Sequence, residues 1–165
     1  MAKPLLKEKD IPLKTIVNGN LDVNRYISEL DDAQRRFIRK DLSTDELYQK
    51  LCNDYYNNTL TGQYATIYND YIKWMLIYKA VEQYIEVGGV AVANNGITRP
   101  SSENNAPLFE SEIGKLAYKY KMKYEDYRRD FLIYMQTNGK FVPEWDSNKV
   151  GYSGYNDLGG FLIRK

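Results

Sequence analysis

The chain has no histidine and a single cysteine, Cys52. A zinc site of Cys and His ligands and any His-based catalytic triad are therefore excluded, and an intrachain disulfide is impossible. Net charge is also missing: Lys+Arg number 23 against Asp+Glu 22, so no global field draws the protein onto nucleic acid or an anionic surface. The N-terminal MAKPLLKEKDIPLK carries no apolar run of signal-peptide length. No other stretch approaches the ~20 apolar residues of a membrane span. A reducing, cytoplasmic setting is the expectation. At 165 residues the chain suffices for one sizeable core and is short for two.

What is present is helical patterning around one stretch. Tyr64 to Val87 lacks Gly and Pro, follows Thr61-Gly62 and is stopped by Gly88-Gly89. At 100° per residue Thr66, Asn69, Asp70 and Lys73 form one polar set, and Lys79, Glu82, Gln83 and Glu86 a second, roughly 140° further round. Between them Trp74-Met75-Leu76-Ile77-Tyr78 is apolar on every side, which predicts a central helix with Trp74 almost fully buried.

Residues 1–23 carry Pro4, Pro12 and Asn18-Gly19-Asn20 without a sustained period, and read as an N-terminal arm. A free N-terminal arm is usually disordered unless a partner orders it. From Ser28 to Lys40 an apolar arc of Leu30, Ala33, Phe37 and Ile38 predicts the first helix, with Ser28 as N-cap. Its Arg35, Arg36, Arg39 and Lys40 read either as a nucleic-acid patch or as a solvated face. Asp31 and Asp32, each four residues before an arginine, favour the solvated, salt-bridged face. Ser43 and Glu46 have capping-box spacing and open a second helix with stripe Leu47, Tyr48, Leu51 and Tyr55. Cys52 beside that stripe reads as a small buried hydrophobe rather than a nucleophile, since the chain has no His to activate it.

Residues 88–107 are a connection rich in Asn, Gly and Pro, long enough to be either functional or disordered. Val90-Ala91-Val92 and Ile97-Thr98 predict a short hairpin about Asn94-Asn95-Gly96, and Val92, Asn95, Ile97 and Arg99 are its candidate contact residues. The glycine pair lacks the elements of a phosphate loop and follows a helix. From Phe109 to Thr137 the stripe Ile113, Leu116, Ala117, Tyr120, Tyr124, Tyr127, Phe131, Tyr134 and Met135 lies within about 60° of one line. Beside it Lys115, Lys119 and Lys123 form a basic line, continued by Asp126 and Asp130. A solvated face is the favoured reading, and a DNA-facing surface the other.

The last segment, Lys140 to Lys165, mixes four glycines with Trp145, Tyr152, Tyr155 and Phe161 and has no period. Either it folds over its own helices or it docks on another subunit; docking is favoured, with Trp145, Tyr152, Tyr155, Phe161 and Leu162 as anchors. The 16 tyrosines fit equally an AT-rich genome and selection for contact surfaces. The fold class expected is all-α: a four-helix bundle, 24–139, with a long loop between helices 3 and 4, an N-terminal arm, 1–23, and a C-terminal assembly arm, 140–165.

The order DDAQRRFIRKDLS, STDELYQKLCNDYY, YNDYIKWMLIYKAVEQYIEVGG, an Asn/Ser/Pro loop, then ESEIGKLAYKYKMKYEDYRRDFLIYMQTNG resembles the head-to-tail connector, or ring adaptor, proteins of tailed bacteriophages. It looks closest to versions from phages of Bacteroidetes, including crAss-like phages. The likeness spans roughly Leu21 to Gly139, and the tail beyond is long for a compact member. The resemblance implies a non-enzymatic virion protein of the neck, assembled in the host cytoplasm. Its partners would be copies of itself in a ring of usually twelve, the portal protein, the next tail or adaptor ring, and DNA passing through the lumen without sequence-specific binding. No cofactor is implied. Two other classes are a helical nucleic-acid-binding protein using the basic faces, and an enzyme using carboxylates alone. The latter is disfavoured, because adjacent acids such as Asp31 and Asp32, or Glu125 and Asp126, point about 100° apart on a helix and cannot share one site.

Overall fold

The uninterrupted apolar stretch at the middle of the chain forms the hub of an all-α fold. The structure, a computed structural model, describes residues 3–7, 23–88, 91–93, 96–98 and 110–149. Helix α1 spans residues 23–41, with Val23–Ala33 and Arg39–Asp41 α-helical and Gln34–Ile38 a π segment. Helix α2 is Asp45–Asn57. Helix α3, the hub, spans residues 62–88: Gly62–Thr66, a π segment Ile67–Ile72, and Lys73–Gly88. Helix α4 is Glu110–Asn138, followed by a 3-10 turn at Gly139–Phe141.

Between α3 and α4, β1 (Ala91–Ala93) pairs antiparallel with β2 (Gly96–Thr98), in the register Ala91 to Thr98, Val92 to Ile97 and Ala93 to Gly96. This is the hairpin that the alternation predicts, with Val92 and Ile97 opposite one another; Asn95 and Arg99 lie outside the described residues.

The helix boundaries follow local chemistry. Thr44, not Ser43, caps α2: it is extended, and its hydroxyl accepts the Leu47 N–H at 3.2 Å. Ser43 instead adopts a left-handed conformation, φ 63°. The N-cap is thus displaced by one residue and the expected box with Glu46 is not made, because Leu47 stands three residues after Thr44 and Ser43 takes the turn between α1 and α2. At the other end Asn58 is left-handed (φ 57°), a conformation asparagine tolerates, and its N–H and that of Thr59 return to Tyr55 and Asp54 carbonyls.

The hub packs along α4 on one side and along α1 on the other. Against α4 it presents a ladder of rings: Tyr71 to Tyr134 (centroids 5.2 Å) and Phe131 (6.1 Å), Trp74 to Tyr127 (6.3 Å), and Tyr78 to Tyr127 (5.5 Å) and Tyr120 (6.2 Å). The partners descend in number as α3 ascends, so the two helices are antiparallel. Each such pair contributes roughly 0.5–1.5 kcal/mol beyond its buried area. Much of the tyrosine excess is therefore spent inside the subunit. Met75, Leu76 and Ile77 are fully buried as expected.

Trp74 corrects the expectation. It is only half-buried, stacked on Tyr78 of its own helix at 6.0 Å and met from α4 by the Tyr127 ring alone among the described ring pairs. The second polar set is corrected too. Lys79 and Glu82 are buried as an ion pair of 2.8 Å, with the Lys79 ammonium over the Phe37 ring at 4.2 Å, so this part of the set faces α1, while Glu86 at its end is exposed. The core stripe of α4 is as predicted, with Ala117, Tyr120, Tyr124, Phe131 and Met135 buried. Cys52 is fully buried, and that burial pushes its thiol up to about 11.

Both expected arms are partly built into the subunit. Leu5 and Leu6, placed by sequence in a free arm, are buried in the helical core. At the other end residues 142–149 turn back over the bundle. Val142 is buried, Thr44 Oγ1 donates to the Glu144 carbonyl at 2.5 Å, the Tyr64 hydroxyl donates to the Glu144 carboxylate at 2.6 Å, and the Asp146 N–H donates to Ser43 Oγ at 3.1 Å.

Candidate functional site

Three places collect chemistry-bearing side chains, and the first is the junction of α1 and α4. Asp41 ends α1, where the helix dipole disfavours a negative charge, and it is buried there. Its carboxylate is held by α4: Arg128 Nε donates to Oδ1 at 2.7 Å and the Tyr124 hydroxyl to Oδ2 at 2.5 Å. Burial and the adjoining carboxylate hold the Tyr124 phenol well above its ordinary value. Burial works against the Arg128 charge, but Asp41, with Glu125 beyond it, outweighs this and leaves the guanidinium above its ordinary value. The group is a brace between α1 and α4, with one carboxylate oxygen on Arg128 and the other on Tyr124.

This junction opens into a cleft of about 660 Å³ lined by Arg35, Arg36, Phe37, Arg39, Lys40, Asp45, Lys79 and Lys149 among others. Seen as residue types it is basic. Seen as pairs it is largely neutralised: Arg35 bonds Asp31, Arg36 bonds Asp32 at 2.9 Å, and Arg39 grips Asp45 through Nε and Nη2 at 2.7 and 2.5 Å. The last pair holds the Asp45 carboxyl below its usual value, chiefly through that hydrogen bonding. The two i,i+4 pairs are those the sequence spacing favours; the Arg39–Asp45 bridge across the turn is not visible in helical periodicity. Among the described residues no group of three or more His, Cys, Asp or Glu could hold a metal ion.

The second place is the outward side of α4. Lys115 and Lys119 are exposed there, whereas Lys123 lies over the rings of Tyr78 and Tyr120, each 5.1 Å from its ammonium. The basic line is therefore two exposed lysines and one covering side chain. On the same outward side Tyr118, Met122 and Ile133 are 60, 41 and 56 % exposed. At 100° per residue the three lie within about 60° of one line, opposite the core stripe. Sequence reading followed the buried stripe and passed over this outer one, whose signal is three large apolar residues on a face otherwise charged.

The third is the C-terminal anchor. Trp145, expected on another subunit, is seated on its own: its ring meets Phe131 edge-on at 5.6 Å, over Gly139. That seat exists because Gly139 has no side chain. Tyr152, Tyr155, Phe161 and Leu162 lie outside the described residues.

The chain matches DUF6712, a family of unknown function, over residues 39–154, more than half of its length, and it belongs to that family. No curated protein and no solved structure matches it. Among the described residues no helix is long and apolar enough to cross a membrane.

Proposed function

We propose that this chain is a structural subunit of a tailed-phage neck, a head-to-tail connector that assembles as a ring between portal and tail around the DNA channel. The observation that carries the reading is the outward stripe of Tyr118, Met122 and Ile133 on the longest helix, flanked by Lys115, Lys119, Asp126 and Asp130. Large apolar side chains interspersed with both signs of charge on one exposed helix face fit the mixed composition of a protein contact. The resemblance of the helix order to that of ring adaptors supports the same reading. So does the interior, where Asp41 and Arg128 join α1 to α4 and Lys79 is paired with Glu82 on its own helix.

The test is solution mass over a range of concentrations together with negative-stain images. Rings with a central channel are the expected result, and Met122→Glu combined with Ile133→Glu should abolish them while leaving the melting temperature unchanged. A single-chain mass at every concentration overturns the reading.

The exposed pair Lys115 and Lys119 favours a second reading, a helical protein that binds nucleic acid non-specifically. It requires salt-dependent retardation of DNA by the isolated protein. The pairing of Arg35, Arg36 and Arg39 with aspartates weighs against it, because those charges are already neutralised. A connector needs no such grip, since each neutralised phosphate would oppose sliding of the DNA.

A further inference from the structure

Residues 3–7, Lys-Pro-Leu-Leu-Lys, bend at Leu5 and Leu6 in a groove formed by α1, α2 and α3. Their backbone is read by side chains. The Gln34 amide closes on both sides of one stretch, its Oε1 accepting the Leu5 N–H at 2.8 Å and its Nε2 donating to the Lys3 carbonyl at 3.0 Å. The same Nε2 donates to the Tyr48 hydroxyl at 2.8 Å, which fixes the orientation of the amide. Tyr68 donates its hydroxyl to the Leu5 carbonyl at 2.6 Å, and the Tyr55 hydroxyl accepts the Lys7 N–H at 2.8 Å.

Leu5 is fully buried and Leu6 nearly so, while the flanking Lys3 and Lys7 place their ammonium groups 4.7 Å over the Tyr56 ring and 5.2 Å over the Tyr55 ring. Gln34 opens the π segment of α1 and Tyr68 lies within that of α3. Such segments recur at functional sites because the extra residue in the turn re-aims a side chain. Gln34 is itself buried, so an empty groove would leave its carbonyl oxygen without the Leu5 donor, at the cost of an unmet buried acceptor.

We propose that this groove is an interchain clasp, which takes the Lys3–Lys7 segment of a second copy while each subunit donates its own segment to the next. Residues 8–22 join the segment to α1, and fifteen residues at roughly 3.3–3.6 Å each reach up to about 50 Å. A chain of this length folds to a diameter of about 40 Å, so the connection is long enough to reach a neighbour's groove. Each polar and apolar contact above is made by the five residues alone and is preserved when they come from another copy. Exchange of an identical element costs little, and head-to-tail donation closes into a ring when the rotation between subunits permits. The inference rests on the ring-forming reading for its partner and names the contact that links one subunit to the next.

Two chains in a Cys52→Ser background test it, one carrying Lys3→Cys and the other Tyr56→Cys, with tags of different size, co-expressed and mildly oxidised. Lys3 and Tyr56 are at the groove's edge, so neither change disturbs the core. A covalent heterodimer forms only if the segment of one chain lies on the other, and it is expected as the main product, lost when Leu5→Asp is added to the Lys3→Cys chain. Assembled particles without the heterodimer, together with an intrachain bridge when both cysteines are on one chain, overturn the clasp and leave the ring reading standing. A mixture that stays at single-chain mass overturns both.

Discussion

A Cβ added to Gly139 would lie 2.6 Å from Cδ1 and 3.0 Å from Nε1 of Trp145. The indole closes the end of the bundle over this glycine, with Phe131 against its edge. Gly139→Ala therefore forces the indole off its seat, and the overpacking cost of about 1–3 kcal/mol exceeds the few tenths to ~1 kcal/mol that alanine gains in backbone entropy. A fall in the urea midpoint is expected, and its recovery in Gly139→Ala combined with Trp145→Leu identifies the clash as the cause. An unchanged midpoint in the single variant refutes it.

The brace at Asp41 gives a second prediction. Asp41→Ala leaves the half-buried Arg128 with only the more distant Glu125, 3.9 Å away, and orphans the Tyr124 hydroxyl. Breaking a buried pair costs about 3–5 kcal/mol, and the lower end applies because the Arg128 side chain retains some solvent. Tyr124→Phe removes one hydrogen bond and should cost about 1 kcal/mol. The two losses should fall well short of additivity in the double variant, since they share one carboxylate. Additive losses in denaturant melts would show that the two contacts are independent.

Several phenols and the one thiol titrate higher in the folded chain than in the unfolded one, which fixes the sign of the alkaline response. Burial raises Cys52 from 9.0 to about 11, and burial with the Glu144 carboxylate raises Tyr64 from 10.0 to about 12. Between the unfolded and folded values the native state binds more protons, so stability is fully present below about pH 9 and declines as pH rises toward 12. Chemical denaturation at pH 8, 9.5 and 11 should show a falling midpoint, and a flatter fall in Cys52→Ala. A midpoint constant over that range would contradict the burial of these groups.

Where one helix buries one face, the sequence made the fold legible. The stripe of α4 and the Asp31–Arg35 and Asp32–Arg36 pairs follow from a period of 3.6 residues, and the hairpin from alternation beside a turn-forming triplet. What periodicity could not carry are relations across the chain. Gln34 sits among charged residues and looks like a surface amide until Leu5 is laid against it. Trp74 stands in an apolar run that would bury it all round, yet from α4 the Tyr127 ring alone meets it among the described ring pairs. The π segments are likewise invisible to a fixed angle per residue. Trp145 shows the same limit, because its partner is a missing side chain at Gly139.

Truncation separates the built part of the C-terminal region from the remainder. A chain ending at Gly139 loses Val142, the two Glu144 hydrogen bonds, the Asp146 contact to Ser43 and the Trp145 seat. Burial of one valine and three hydrogen bonds contribute about 4 kcal/mol before the indole is counted, so this chain should melt far lower or aggregate. A chain ending at Lys149 keeps each of these contacts and should melt within about 2 °C of the full length. It lacks Tyr152, Tyr155, Phe161 and Leu162, proposed to anchor on a neighbouring subunit or the portal. Mass in solution and incorporation into particles decide that role: a stable subunit that no longer enters particles supports it, and one that assembles as well as the full chain removes residues 150–165 from the interface.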